Sequence, residues 1–202
     1  MTLTARARGG AVPLVPAGHL VAWDQFVVPG AVMAQAPVTG GPVSVADDKA
    51  SIVLAAAGSD LTIYRATGLI AYRKDGRNIL SGGAPHFYRA LIDNDIGTGV
   101  ARTHAMWKTA SEKRVVEAVT VDQPDKSAIS VNVRFNVGDG VARFENRYVL
   151  RGDGQVAVEA QFTPLQPDLP DPLRIGLAYR MPSAFKNVEW YGKGPHESYA
   201  DR

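Results

Sequence analysis

The stretch Ala128–Val137, "AISVNVRFNV", decides the fold class of this chain. Its apolar and polar residues alternate strictly. One set is Ile129, Val131, Val133, Phe135 and Val137, and the other is Ser130, Asn132, Arg134 and Asn136. Successive side chains of a strand point to opposite faces, whereas a helical face would repeat after about 3.6 residues. The stretch therefore predicts a β-strand with one buried face and one face in water.

Comparable extended runs, separated by Gly, Pro and Asp, occupy much of the chain. They cover residues 19–28, 51–57, 60–66, 69–80, 114–123, 141–150 and 155–165. Asp75-Gly76 lies at the centre of one run and is a strong hairpin signal. Short strands joined by tight turns predict an all-β, antiparallel sandwich. Residues 101–111, which lack strand-like alternation, predict the one helix.

Composition limits the functions that this chain can have. It has 202 residues, of which 46% are hydrophobic and 21% charged, and this is typical of a globular protein. A net charge of +2 without a long basic run gives no footprint for nucleic acid or an anionic membrane surface. The absence of cysteine excludes disulfides and cysteine-ligated zinc. We therefore expect neither a nucleic-acid nor a membrane partner.

The N-terminal part predicts a chain that continues a preceding domain. Alternation begins at the first residues, without the apolar core of a secretory signal, which slightly favours the cytoplasm but leaves the compartment open. Residues 30–50 are rich in Pro, Gly and small residues and predict a linker. We expect residues 1–45 to be the end of one sandwich plus this linker, and residues 46–202 to form a second domain.

The acidic stretch "RALIDNDIGTG" (89–99) admits three interpretations. In an extended segment, Asp93 and Asp95 would share one face, but catalytic carboxylate pairs normally face each other from different elements. A calcium loop fails because Gly97 and His104 occupy positions where ligands are expected. The remaining interpretation is a turn in which Asp and Asn side chains bind backbone amides before Gly97 and Gly99.

Other signatures of catalysis or metal binding are absent from the sequence. The histidines lack the H-x-x-x-H spacing of a metal-binding helix, and the sequence contains neither G-x-S-x-G nor the dinucleotide motif G-x-G-x-x-G. We predict no metal site. For Trp23, Trp107 and Trp190 we expect core packing, with sugar stacking as the alternative.

Two motifs, read together, resemble the C-terminal domain of the large β-galactosidases of glycoside hydrolase family 2. The first is "FYRALIDNDIG" (87–97) and the second is "VEWYGKGPHESYADR" (188–202). The upstream "AGHLVAWDQFVVP" (17–29) is similar to the strand that closes the preceding immunoglobulin-like domain. Leu91 stands where the family usually has proline. The matching positions are Arg89, Ala90, Asp93, Asn94, Asp95, Gly97, Trp190, Gly192, Gly194, Pro195, Glu197, Tyr199, Asp201 and Arg202.

The resemblance implies a fold, and it implies that the catalytic residues lie in a different part of the polypeptide. It implies the first part of a galactose-mutarotase-like β-supersandwich, preceded by a partial immunoglobulin-like sandwich. The catalytic glutamates of the family, with its magnesium and sodium ligands, belong to an upstream barrel, so we expect no catalytic residue and no cofactor in this segment. The rest of the same polypeptide and a galactoside substrate are the expected partners, and homo-oligomer formation stays open.

The resemblance also implies a role for the acidic stretch. The glycine after D-N-D begins a mobile loop near the active site, which corresponds here to Gly97 and residues 98–102, including Thr98 and Gly99. We hypothesise that Asp93 and Asp95 fix the base of this loop, with Arg89 as ion partner. Trp190, Gly194, Pro195, Glu197, Tyr199, Asp201 and Arg202 are expected to have a structural role.

Two alternatives stay open at this stage. The chain could be a stand-alone carbohydrate-binding or mutarotase-like module, for which only His86, His104, His196 and Glu197 would serve as acid and base. It could instead be a purely structural interface domain, in which loop mutations would change assembly and leave kinetics unchanged.

Overall fold

The computed structural model describes residues 1–9, 14–26 and 40–189. The chain divides into two compact units, described separately below: Met1–Ala36 with Asn187–Arg202, and Pro37–Lys186. In the first unit, β1 (Thr2–Arg6) pairs antiparallel with β2 (Leu20–Gln25), and the side chains of β1 are exposed. This hairpin-like pair lies where the end of a preceding sandwich is expected.

The second unit contains two antiparallel sheets. The six-stranded sheet has the order β12-β7-β6-β5-β4-β3, and the four-stranded sheet has the order β11-β10-β9-β8. The strands of the larger sheet are β3 (Ser44–Asp47), β4 (Ser51–Ala56), β5 (Ser59–Tyr64), β6 (Ile70–Lys74), β7 (Arg77–His86) and β12 (Gly176–Arg180). Those of the smaller sheet are β8 (Val115–Asp125), β9 (Ala128–Val137), β10 (Ala142–Arg151) and β11 (Val156–Pro164).

Alternation places the core between the two sheets. All five apolar residues that alternate along β9 are completely buried, and so are Phe144 and Leu150 on β10. The larger sheet contributes Ile52, Leu54, Leu61 and Ile63 to the same hydrophobic cluster. Complete burial of one such side chain stabilises the fold by about 1.5–3 kcal/mol. The predicted all-β antiparallel sandwich is confirmed.

Two buried polar contacts join the sheets. Asn146 on β10 donates a hydrogen bond from Nδ2 to the carbonyl of Gly83 on β7 at 3.0 Å. The buried Ser59 hydroxyl on β5 donates to the carbonyl of Gly154, in the turn after β10, at 2.8 Å. Because a buried polar group without a partner is costly, these bonds favour one relative position of the two sheets.

The turn residues of the sequence predicted the hairpin between β6 and β7 correctly, whereas some strands were missed. Asp75 and Gly76 both have positive φ, 49° and 74°, in the turn between β6 and β7, as the predicted hairpin requires. The sequence did not predict β12 or β3, and β3 crosses the proposed boundary between residues 45 and 46. It also ended β7 too early, because the strand continues through Gly82 and Gly83 with a register shift near Gly82.

The predicted helix is present as two short pieces. Three helices connect β7 to β8: α1 (Asp93–Gly97), α2 (Val100–Thr103) and α3 (Ala105–Ala110). The last two cover most of residues 101–111 and are interrupted at His104. Among the described residues, no helix is long and apolar enough to cross a membrane.

Candidate functional site

The acidic stretch lies on the connection between the two sheets and forms a short helix. Asp93 and Asp95 occupy the first and third positions of α1. Two side chains that are two residues apart on a helix are rotated by about 200° around its axis, because a helix turns once in about 3.6 residues. They therefore point to nearly opposite sides of the helix. The shared carboxylate face that an extended segment would give is therefore not formed.

Asp95 stabilises the beginning of α1. The helix starts after Ile92, whose backbone is extended (φ −98°, ψ 171°) and whose side chain has no capping oxygen. The Asp95 carboxylate accepts a different hydrogen bond, which the Ile92 amide donates to its Oδ2 at 2.9 Å. This is the half of a capping box in which the third helical residue satisfies the amide of the residue before the helix.

Arg89 holds the same carboxylate from the other side. Its Nη1 and Nη2 donate to Oδ2 and Oδ1 of Asp95 at 2.5 and 3.2 Å, and Nη1 also donates to the carbonyl of Ala90 at 2.9 Å. The exposed fractions of the two side chains are only 23% and 13%. The hydrogen bonds from Arg89, then that from the Ile92 amide, hold the pKa of Asp95 below its usual value. Asp95 is thus ionised at neutral pH and unsuited to act as a general acid.

The neighbouring acid does not share this role. Asp93 and Asn94 are exposed, and within the described residues no backbone amide donates to the Asp93 carboxylate. The hypothesis that Asp93 also fixes the base of the loop stays a prediction. The described contacts at the start of α1 are those of Asp95 with Arg89 and with the Ile92 amide.

The two glycines after the acidic cluster differ in conformation. Gly99 has a φ of +77° and precedes α2, whereas Gly97 is the last residue of α1 and lies outside the left-handed region. Between them, Thr98 donates from both its amide and its hydroxyl to the carbonyl of Asn94, at 3.0 and 2.9 Å. A Cβ added at either glycine would meet no atom within 4 Å. Of these two glycines, Gly99 is the one whose conformation requires glycine.

The far end of the connection is buried. Trp107 on α3 is 1% exposed, and its ring lies 5.4 Å from that of Phe87 and 5.8 Å from that of Phe162. Its Nε1 donates to the carbonyl of Pro170 at 2.8 Å. The prediction of core packing is confirmed for Trp107. Its bond to a distant loop had no signal in the sequence.

The stretch between these two ends is largely exposed. Ile92 and Ile96, four residues apart and therefore on one side of α1, have exposed fractions of 54% and 63%. Residues 101–103 are also exposed. The structure thus combines two fixed ends with an exposed middle that contains both glycines.

Other predicted positions give no second site. The stretch 190–202 lies outside the described residues, and with it Trp190, Gly192, Gly194, Pro195, His196, Glu197, Tyr199, Asp201 and Arg202. His104 lies between α2 and α3, where its Nδ1 is 2.7 Å from the Thr103 hydroxyl. Within the part of the chain that the structure describes, no group of three or more His, Asp or Glu side chains could hold a metal ion.

Comparison with known proteins identifies the family. The family model described as beta galactosidase small chain matches residues 55–202, which is more than half of the chain. The chain belongs to the β-galactosidase small-chain family. Its match includes the whole connection from β7 to β8, and the predicted resemblance to β-galactosidases is confirmed.

Curated β-galactosidases are similar to this small-chain segment over nearly its whole length. Those of Priestia megaterium, Aeromonas hydrophila subsp. hydrophila and Vibrio cholerae serotype O1 are 32%, 31% and 30% identical to it. The alignments cover 92%, 95% and 94% of this chain, but 18%, 20% and 20% of the relatives. The chain thus spans about a fifth of the length of the curated relatives that it matches.

Proposed function

We propose that this chain is a non-catalytic segment of a β-galactosidase that hydrolyses terminal β-D-galactosides. The whole enzyme would be a retaining glycosidase of glycoside hydrolase family 2, with its acid/base and nucleophile carboxylates, magnesium and sodium in a barrel outside this segment. Support comes from the small-chain match together with the tethered state of Asp95. A working carboxylate pair must face one sugar, and Asp93 and Asp95 diverge on α1.

The contribution proposed for this segment is a gate over the active site of the whole enzyme. We define the gate as residues 97–102, which follow the tethered base of α1. The observation that supports it most directly is the contrast between the ionic contact at Arg89–Asp95 and the exposed, glycine-containing stretch that follows. A loop that closes over substrate needs a fixed base and a residue that can change φ and ψ at low cost.

Gly97 is the residue whose substitution tests the gate. Alanine fits the conformation described here, since Gly97 has an ordinary helical φ and open space around its Cβ position. If closure moves Gly97 into the left-handed region, alanine disfavours the closed state and leaves the open state intact. In the full-length enzyme, Gly97→Ala should change kcat and the affinity for a transition-state analogue by about ten-fold or more.

Gly176→Ala provides the matched control. Gly176 lies on β12, also with ordinary φ and no atom within 4 Å of the added Cβ, and far along the chain from the gate. This variant should have the kinetics of the parent enzyme. If Gly97→Ala left kcat, KM and the analogue affinity all unchanged, the gating role of Gly97 would be wrong.

The division of labour has a separate test. The full-length enzyme should hydrolyse a chromogenic β-galactoside, whereas the chain of residues 1–202 should show no turnover above the buffer rate. Turnover by the purified chain, unaffected by removal of trace full-length enzyme, would contradict the non-catalytic assignment.

A further inference from the structure

The two ends of the exposed connection meet in the core. Phe87 lies two residues before Arg89, and Trp107 lies on the last of the three short helices. Their rings are 5.4 Å apart and tilted by 52°, and both side chains are at most 1% exposed. The connection therefore closes on itself, since its two ends are in contact and its middle is exposed. We call the Phe87–Trp107 contact the neck.

The neck contacts a second loop. The indole Nε1 of Trp107 donates to the carbonyl of Pro170, which lies 63 residues further along the chain. Pro170 belongs to residues 166–172, which connect β11 to β12 and line a cleft of about 200 Å³ beside the indole. The Nε1 bond is thus a direct polar link between the indole and this loop, beside the bond that the Arg174 amide donates to the carbonyl of Phe87 at 3.3 Å.

The ring is too deeply buried to serve a sugar directly. At 1% exposure, Trp107 has no free face on which a pyranose could stack, and its one polar atom is already bonded to Pro170. Any influence on substrate must act through the position of α3 and the residues that precede it. Only four residues separate Arg102, the last residue of the gate, from Trp107.

We infer that Trp107 is a positioning residue for the gate, closing the neck with Phe87 and coupling the gate to residues 166–172 through its bond to Pro170. The inference rests on the proposed gating function for its kinetic consequence, but the coupling itself is a property of this chain. It distinguishes Trp107 from a core residue that contributes to stability alone. A residue of that kind would not connect two exposed loops.

Trp107→Phe tests the coupling, because it keeps an aromatic ring at the neck and removes the Nε1 donor. Hydrogen exchange of the whole chain is the measurement. The amides of Arg102, His104 and Trp107 donate within the loop and should exchange about five-fold faster or more, the effect of losing one hydrogen bond. Amides of residues 166–172 should also exchange faster, whereas those of β9 and β10 should be unchanged.

Val133→Ala is the matched control, since Val133 is completely buried on β9 and lies outside both loops. It should speed exchange throughout the two sheets without a selective effect on the loops. If Trp107→Phe gave the same general pattern, or left both loops unchanged, the inference would be overturned. Selective acceleration in both loops would support it.

Kinetics of Trp107→Phe in the full-length enzyme separate the inference from the gate. If exchange is faster in both loops and kcat changes more than KM, the result supports both the coupling by Trp107 and the gate. Faster exchange in both loops with kinetics like those of the parent enzyme would overturn the positioning role of Trp107 for the gate, and the gate itself is decided separately by Gly97→Ala. If exchange in the two loops is not selectively faster in Trp107→Phe, the inference is overturned, whatever the effect of Gly97→Ala on the kinetics.

Discussion

Arg89 donates two hydrogen bonds to the carboxylate of Asp95, six residues later in the chain, while the amide of Ile92 donates to the same carboxylate. The Asp95 side chain thus connects Arg89 to α1 and also accepts a hydrogen bond from the residue before this helix, whose own side chain provides no cap. The geometry is bidentate, which restricts both groups more than a single contact would. Asp95 is therefore part of the local scaffold at the start of α1.

The Arg89–Asp95 pair should behave as one unit in a double-mutant cycle. Arg89→Met and Asp95→Asn should each lower the free energy of unfolding, because each disrupts the bidentate contact. The double variant should be less destabilised than the sum of the two, since the second change removes an interaction already lost. Urea denaturation of all four proteins measures the coupling. Strict additivity would show that the pair contributes nothing as a pair.

The same pair should make stability depend on pH at the acidic end. The folded-state pKa of Asp95 lies below its unfolded value of about 3.9, so the folded protein binds this proton less readily. The stabilisation is fully present above about pH 5 and is lost as the pH falls through the folded-state pKa. Asp95→Asn should therefore be less stable than the parent at pH 7, and the difference should shrink towards pH 3.

Asp48 and Asp125 provide the comparison for this titration. Backbone amides lower the pKa of each, from Ser51 and Ala50 for Asp48 and from Ser127 for Asp125. Both contribute to the acid sensitivity of the parent and of Asp95→Asn alike. A stability difference that stayed constant from pH 7 to pH 3 would contradict the assignment to Asp95.

The two glycines of the gate should respond oppositely to alanine. At Gly99, with φ +77°, alanine should destabilise the fold by about 1–2 kcal/mol. At Gly97, which is helical and unobstructed, alanine should be neutral or stabilise by up to about 1 kcal/mol. Chemical denaturation of the two variants measures the contrast. Equal effects would mean that the φ difference between the positions is not maintained in solution.

The core should be sensitive at Phe135 on β9. This ring is completely buried, and Phe135→Ala should destabilise the protein by about 3–5 kcal/mol, through lost transfer energy and a remaining cavity. Tyr64→Ala, at a position 46% exposed, should cost less than about 1 kcal/mol. Thermal unfolding compares the two. A similar cost at both positions would contradict the description of β9 as the centre of the core.

The sequence was most informative where one physical constraint acted alone. The alternation in β9 reflects only that one face of the strand is buried and the other is exposed to solvent. The Asp75-Gly76 signal reflects only the backbone conformation of a tight turn. β3 and β12 gave weaker signals, because β3 is short and fully exposed and β12 has no completely buried residue. The second half of β7 was concealed by two adjacent glycines, which the strand accommodates with a shift in register.

At the candidate site, too, the sequence did not predict which residues make the decisive contacts. The motif drew attention to Asp93, Asp95, Gly97 and Gly99 alike, but a motif does not separate equivalent residue types. The structure distinguishes them: of the two acids, Asp95 binds Arg89, and of the two glycines, Gly99 has the left-handed conformation. Sequence predicted that Trp107 would be buried, but not that its Nε1 would bond to Pro170.

The sequence by itself determined an antiparallel sandwich, the family of the chain and the stretch on which its candidate function depends. These follow from local periodicity, turn chemistry and two motifs. Tertiary structure alone decided that Asp95 is a tethered cap, that Gly99 has the special backbone and that Phe87 and Trp107 close the loop. The first two depend on the geometry within the connection, and the third on a ring distance that is set only when the two sheets pack around one core.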